Sequence, residues 1–120
     1  MADSEQAEQP GQLSVVSTAS EGVRVVTLSG EIDHQTAEAM RQALEVADTA
    51  NPRLVLDMRG VGFMDSTGIN ILITAHQALT EAGGWLRLAA PTQAVLRTIQ
   101  IVGLDTVIDC HPTLRQALNA

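Results

Sequence analysis

LVLDMRGVGFMDSTGINILITAHQAL, residues Leu54 to Leu79, changes its apolar period part-way along. Leu54-Val55-Leu56 is a short continuous apolar run, as in a strand covered on both faces. Gly60 and Gly62 then predict a loop. After Met64-Asp65-Ser66-Thr67-Gly68 the spacing becomes helical. Ile69, Leu72, Ile73, His76 and Leu79 fall on one helix face. Asp65 is placed to cap that helix, its carboxylate accepting from the first free backbone N–H groups. Ser66 and Thr67 then occupy the first turn. Gly68 lets the helix start lie close to a neighbour or a partner.

Working outward, the flanking segments alternate between strand and helix patterns. Leu13–Thr18 and Val23–Ser29 read as an antiparallel hairpin around Glu21-Gly22, closed off by Gly30-Glu31-Ile32-Asp33. A helix follows with Ala37, Met40, Ala43, Leu44 and Ala47 on one face, capped by Asp33 or His34 and broken at Asn51-Pro52. Downstream, Gly83-Gly84 ends the central helix, and Trp85–Ala89 forms a strand. Pro91 opens a third helix carrying Val95, Leu96, Ile99 and Val102, which Gly103 ends. Thr106–Asp109 reads as the last strand. Pro112 starts a terminal helix with Leu114, Ala117 and Leu118. The order β-β-α-β-α-β-α-β-α specifies an α/β domain with a mixed, mainly parallel sheet packed by helices.

A chain of 120 residues fits one domain, assigned here to residues 12–120 behind a flexible acidic tail at residues 1–11. With one Phe, one Trp and no Tyr, the core is built from aliphatic side chains. The acidic, polar start is unlike a signal peptide, and the longest apolar run is too short to span a bilayer. The lone Cys110 excludes an intramolecular disulfide and suits a reducing compartment. These features point to the cytoplasm. The net charge is −7, and all seven cations are arginine. The absence of lysine removes P-loop, Schiff-base and receiver-type lysine mechanisms. The acidic balance disfavours nucleic acid and anionic membranes as partners and favours a protein.

On residues alone, Asp65-Ser66-Thr67 is ordinary helix-capping chemistry. Three features favour a functional site. The preceding segment is glycine-rich and carries Phe63-Met64. The hydroxyl follows the C-terminal end of a buried strand, where open α/β sheets place their sites. A phosphate there would meet free N–H groups and a favourable helix dipole. A catalytic serine is disfavoured, because the nucleophile-elbow glycine two residues earlier is missing. The only histidines are His34, His76 and His111, and His76, on the apolar helix face, reads as a packed core histidine rather than a base. Asp33, Asp57 and Asp65 could meet at strand ends around a hard cation, but they lack a ligand spacing. Cys110 and His111 are too few for zinc. No metal, cofactor or catalytic residue is assigned, and the chain is read as a non-enzyme.

Two motifs resemble the STAS domains, specifically the bacterial anti-sigma factor antagonists. One is Leu28-Ser29-Gly30-Glu31-Ile32-Asp33. The other runs from Val55-Leu56-Asp57-Met58 through Phe63-Met64-Asp65-Ser66-Thr67-Gly68. The resemblance extends in element order from Gln12 to Ala120. It implies that the unphosphorylated protein binds an anti-sigma factor that is also a serine kinase of histidine-kinase-like ATPase fold, freeing a sigma factor. Phosphorylation at Ser66 then separates the complex, and a PP2C-type phosphatase resets it. Thr67 stands where many members have a second serine and is the alternative acceptor. The implied partner-binding residues are Asp33, Met64, Asp65, Ser66, Thr67 and Gly68. Nucleotide binding with weak NTP hydrolysis, or a sensory or transporter-associated role, is the alternative the family offers.

Overall fold

The computed structural model describes residues 13–45 and 50–120. The expected acidic tail and Ala47 of the first helical face lie outside those residues. The described chain runs β1 (Leu13–Ser20), β2 (Val23–Ile32), α1 (Ala37–Ala43), β3 (Arg53–Met64), α2 (Ser66–Glu81), β4 (Trp85–Ala89), α3 (Gln93–Ile101), β5 (Asp109–His111) and α4 (Leu114–Asn119). The five strands form one sheet in sequence order. β1 pairs antiparallel with β2, and the other pairings are parallel. Among the described residues no helix is long and apolar enough to cross a membrane.

Strand alternation assigns the two faces of the sheet. Leu54, Leu56 and Met58 of β3, with Val26, Leu28, Leu86 and Leu88 beside them, face α1, α2 and α3 in the main core. Val23, Val55 and Ala89 face the other way, under Ala117, Leu114 and Leu118 of α4. Three crossover helices on one face are what successive right-handed β-α-β connections produce when the strand order never reverses. Each fully buried leucine contributes roughly 1.5–3 kcal/mol of apolar transfer free energy.

Several expected boundaries differ. The residues expected to form a glycine loop after the central strand belong to β3, and Gly30–Ile32 belongs to β2. The register shows why. Thr27 pairs with Asp57 but Ser29 with Gly60, and Gly30 pairs with Val61 but Glu31 with Phe63. β3 therefore carries two extra residues, as two bulges. Each bulge resets the alternation, so Met58, Val61 and Met64, three apart, all reach the same core. A three-residue spacing is invisible to a period-two reading. At Gly60 the backbone passes so close to β2 that a Cβ would collide with the Ser29 hydroxyl and lie tightly against the Leu28 carbonyl.

The last strand is Asp109–His111, not Thr106–Asp109. Residues Leu104–Thr106 form a 3-10 turn instead, entered through Gly103 at φ 76° with Leu104 buried. Helix α3 starts after Pro91, with Thr92 as its cap, and Val102 at its end is exposed rather than on the apolar face. The hairpin turn Glu21-Gly22 has positive φ at both positions, 52° and 83°, the two-residue turn that matches strand twist.

Candidate functional site

Three chain segments meet at the edge where the parallel strands end. Ile32 pairs with Met64 at the last register position of β2 and β3. The next residues, Asp33 and Asp65, are therefore neighbours. The Asp65 backbone N–H donates to the Ile32 carbonyl at 3.1 Å, fastening the start of α2 to the end of β2. The third segment is the start of α3, where the Thr92 hydroxyl donates to the Val61 carbonyl at 2.9 Å and accepts from the Val95 N–H.

Asp65 caps α2 as expected. It is extended (φ −100°, ψ −169°), and its Oδ1 accepts from the Thr67 N–H at 2.9 Å. Its carbonyl accepts from Gly68 and Ile69. The capping falls to Asp65, so the Ser66 hydroxyl is not needed for it. Ser66 is exposed, and its hydroxyl has no protein partner among the described residues. Thr67 is half-buried, with its N–H taken by Asp65.

Gly68 is buried, and a Cβ there would lie 2.5 Å from Met64 Cγ and 2.7 Å from Ile32 Cγ2. The glycine permits close helix–sheet packing and is not open to a partner. Met64 is likewise a core residue at 3% exposure, whereas Phe63 is 48% exposed. The expected Phe63-Met64 pair is thus split by the strand pleat, and the apolar surface contact falls to Phe63.

Asp33 does not cap α1 directly. That helix begins four residues later, at Ala37 after Thr36, without a side-chain cap. Asp33 Oδ1 instead accepts from the N–H groups of Gln35 and Thr36, at 2.9 and 3.2 Å. The buried Thr36 hydroxyl donates to the Glu31 carbonyl at 2.9 Å and accepts from the Asp33 N–H. Sequence reasoning passed over Thr36 and Thr92. A Thr immediately ahead of each helical pattern was the available signal.

Asp57 does not join the other two acids. It lies inside β3, fully buried, with its carboxylate 3.2 Å from the Arg59 guanidinium and accepting from the Arg59 N–H. Neither Asp33 nor Asp65 forms an ion pair among the described residues. The edge is therefore acidic around Ser66. A groove of about 430 Å³ leads away from Thr67 between α1 and α2, lined by Asn70, Ile71 and Thr74 on one side and Arg41 and Leu44 on the other. The edge offers an exposed hydroxyl and an apolar groove, and Phe63 adds an exposed ring on the opposite side of β3 from Met64, the composition of a protein-docking surface.

A family model described as the STAS domain matches residues 14–117. The anti-sigma-F factor antagonist RsfB of Mycobacterium tuberculosis is 31% identical over 111 residues, which covers 92% of this chain and 90% of that protein. The anti-sigma-B factor antagonist of Bacillus subtilis is 30% identical over 84 residues, 70% of this chain and 77% of that one. The crystal structure of an anti-sigma factor antagonist from Mycobacterium paratuberculosis superposes with a TM-score of 0.84 at 37% identity, covering 92% of this chain and 95% of the other.

Proposed function

The chain belongs to the STAS domain family, and on that premise we propose that it is an anti-sigma factor antagonist switched by phosphorylation at Ser66. In its unmodified form it binds an anti-sigma factor through the edge formed by Asp33, Phe63, Asp65 and Ser66 and by the groove beyond Thr67. The sigma factor held by that partner is released. The partner is a serine kinase of histidine-kinase-like ATPase fold, and a PP2C-type phosphatase restores the hydroxyl. The cycle runs in the cytoplasm.

The observation that carries this reading is the Ser66 hydroxyl, exposed and without a hydrogen-bond partner among the described residues, in the first turn of a 16-residue helix whose cap is supplied by Asp65. A phosphoryl group there adds about 1.5–2 negative charges. The helix dipole and free N–H groups favour it, which preserves the fold. Asp65 and Asp33 repel it, and a partner surface fitted to a neutral hydroxyl is spoiled. Binding changes while folding does not. Thr67 is the weaker acceptor because it is half-buried.

The test is intact-mass measurement of protein recovered from its native cells, with and without phosphatase treatment. One removable phosphate mapped to Ser66, with loss of anti-sigma factor binding in the phosphorylated fraction, supports the proposal. Equal binding by both fractions overturns the switch. Modification at Thr67 alone moves the switch by one residue.

A further inference from the structure

A second concave site lies at the opposite edge of the sheet: Arg53 on its wall is the first of the 12 residues of β3, and Ser66 follows the far end of that strand. It is a cavity of about 550 Å³ between the starts of β3 and β4, the β1–β2 turn and α4. Three of the seven arginines, Arg53, Arg87 and Arg115, line it. The single acidic side chain on its wall is Glu21. Among the described residues the two ion pairs use Arg41 and Arg59, so none of these three guanidiniums is neutralised by a carboxylate. In a protein of net charge −7, three arginines that form no ion pair among the described residues line one cavity, outnumbering the Glu21 carboxylate and the terminal carboxylate of Ala120 on the same wall.

Two of the arginines, Arg87 and Arg53, have fixed neighbours. The Arg87 guanidinium stacks on the Trp85 ring, 3.6 Å from its centroid, and donates to the Ala117 carbonyl at 3.0 Å. The Arg53 guanidinium lies over Gly22, where any Cβ would displace it. Arg53 and Arg115 are exposed. The remaining wall includes Val23, Leu114 and Leu118, with Trp85. The cavity therefore has a cationic part suited to an oxyanion and an apolar part suited to a hydrocarbon or ring. Its volume falls within the range of small-molecule sites, about 300–1,000 Å³. Planar guanidinium forks recognise carboxylate and phosphate alike.

We propose that this cavity binds a small organic anion, with a phosphate or carboxylate head held by Arg53 and Arg115 and an apolar body against Trp85, Val23, Leu114 and Leu118. Arg87 orients the indole. The site is independent of the Ser66 switch and of whatever protein binds there.

The lone tryptophan reports on the site directly. Phenyl phosphate and benzoate are titrated against the full chain, with Trp85 emission and calorimetry as readouts. Benzyl alcohol and inorganic phosphate serve as controls. We expect both organic anions to change the emission saturably, at about millimolar affinity or tighter for probes this small. We expect benzyl alcohol to be silent and inorganic phosphate to bind more weakly than phenyl phosphate. Arg53→Gln combined with Arg115→Gln should weaken binding by about tenfold or more, the loss of charged hydrogen bonds. Arg97→Gln, an exposed arginine on α3, should leave it unchanged. The proposal is wrong if neither organic anion binds, or if the double variant binds as tightly as the parent. It is equally wrong if benzyl alcohol or inorganic phosphate matches phenyl phosphate, since then only one half of the cavity acts. Circular dichroism of the double variant separates lost binding from lost fold.

Discussion

The Asp65 N–H is bonded to the Ile32 carbonyl, and this one contact places two sequence motifs on the same edge. Residues 32 and 64 end their strands in register, so the acids at 33 and 65 follow side by side. Parallel pairing brings together groups that are more than thirty positions apart in the chain. Each motif alone reads as a turn and a cap.

Ser66 variants separate binding from folding. Ser66→Ala should melt within about 2 °C of the parent and still bind the anti-sigma partner, because Asp65 supplies the cap. Ser66→Asp should also fold but bind at least about tenfold more weakly, a 1.4 kcal/mol effect. Phe63→Ala should weaken binding with little change in melting, since the ring is exposed. Calorimetric titration with the purified partner reads all three, and unchanged affinity in both Ser66→Asp and Phe63→Ala would remove this edge from the interface.

Asp33 requires a different substitution from the obvious one. Asp33→Ala removes the acceptor for two turn N–H groups, so about 1 kcal/mol of stability should go with any binding effect. Asp33→Asn keeps an acceptor and removes the charge. Thermal melts should show the alanine variant several degrees lower and the asparagine variant closer to the parent. Equal melting of the two would mean that the turn does not depend on the side-chain oxygen.

Gly68→Ala should destabilise in spite of the better helix propensity of alanine. Propensity contributes about 1 kcal/mol in its favour. The new Cβ meets Met64 and Ile32 at 2.5–2.8 Å, and overpacking of that kind costs typically 1–3 kcal/mol. Met64 can swing aside, but the branched Ile32 is held in the core. Urea unfolding should give a net loss, and a smaller side chain at the contact, as in Met64→Ala with Gly68→Ala, should reduce the clash. A stabilised Gly68→Ala protein would contradict this packing.

Arg59→Ala leaves the buried Asp57 carboxylate with one backbone donor and no cation. The Arg59 side chain is largely solvated, so solvent takes over part of its role. The expected loss is on the order of 1–2 kcal/mol at neutral pH. Asp57→Asn in the same background should recover part of it by removing the buried charge. Additive losses in the double variant would show that the two side chains do not interact.

Cys110 should react slowly. Burial, and secondarily the nearby Asp105 charge, raise its thiol pKa above the ordinary 9.0. Less thiolate is then present at pH 8 than in a free cysteine, so alkylation should lag a model thiol, and its rate should still be climbing above pH 9. The sign for stability follows from the same shift. The fold favours the protonated thiol, so this contribution is complete below pH 9.0 and is lost as pH rises through the higher folded value. A rate that levels off below pH 9 would contradict the shift.

Local chemistry was legible in the sequence. The apolar run of β3, the Asp65 cap, the spacing of Ile69, Leu72 and Leu79, and the Glu21-Gly22 turn each depend on near neighbours, and each stands in the structure. So does the β-α alternation, because helix and strand periods differ within a few residues. Only the tertiary structure decided the rest. Gly60 and Gly62 look like loop formers, yet Gly60 pairs with Ser29 of β2 and Gly62 is the unpaired residue of a bulge within β3, and the two bulges carry Val61 and Met64 into the core while leaving Phe63 outside. Nothing local fixes which of two adjacent apolar residues faces in; the partner strand does. In the same way Arg53, Arg87 and Arg115 are unremarkable at their own positions. They form one cationic cavity only because β3 and β4 start side by side and α4 folds back over them. Side-chain periodicity is a property of a segment, whereas a site is a property of the register between segments.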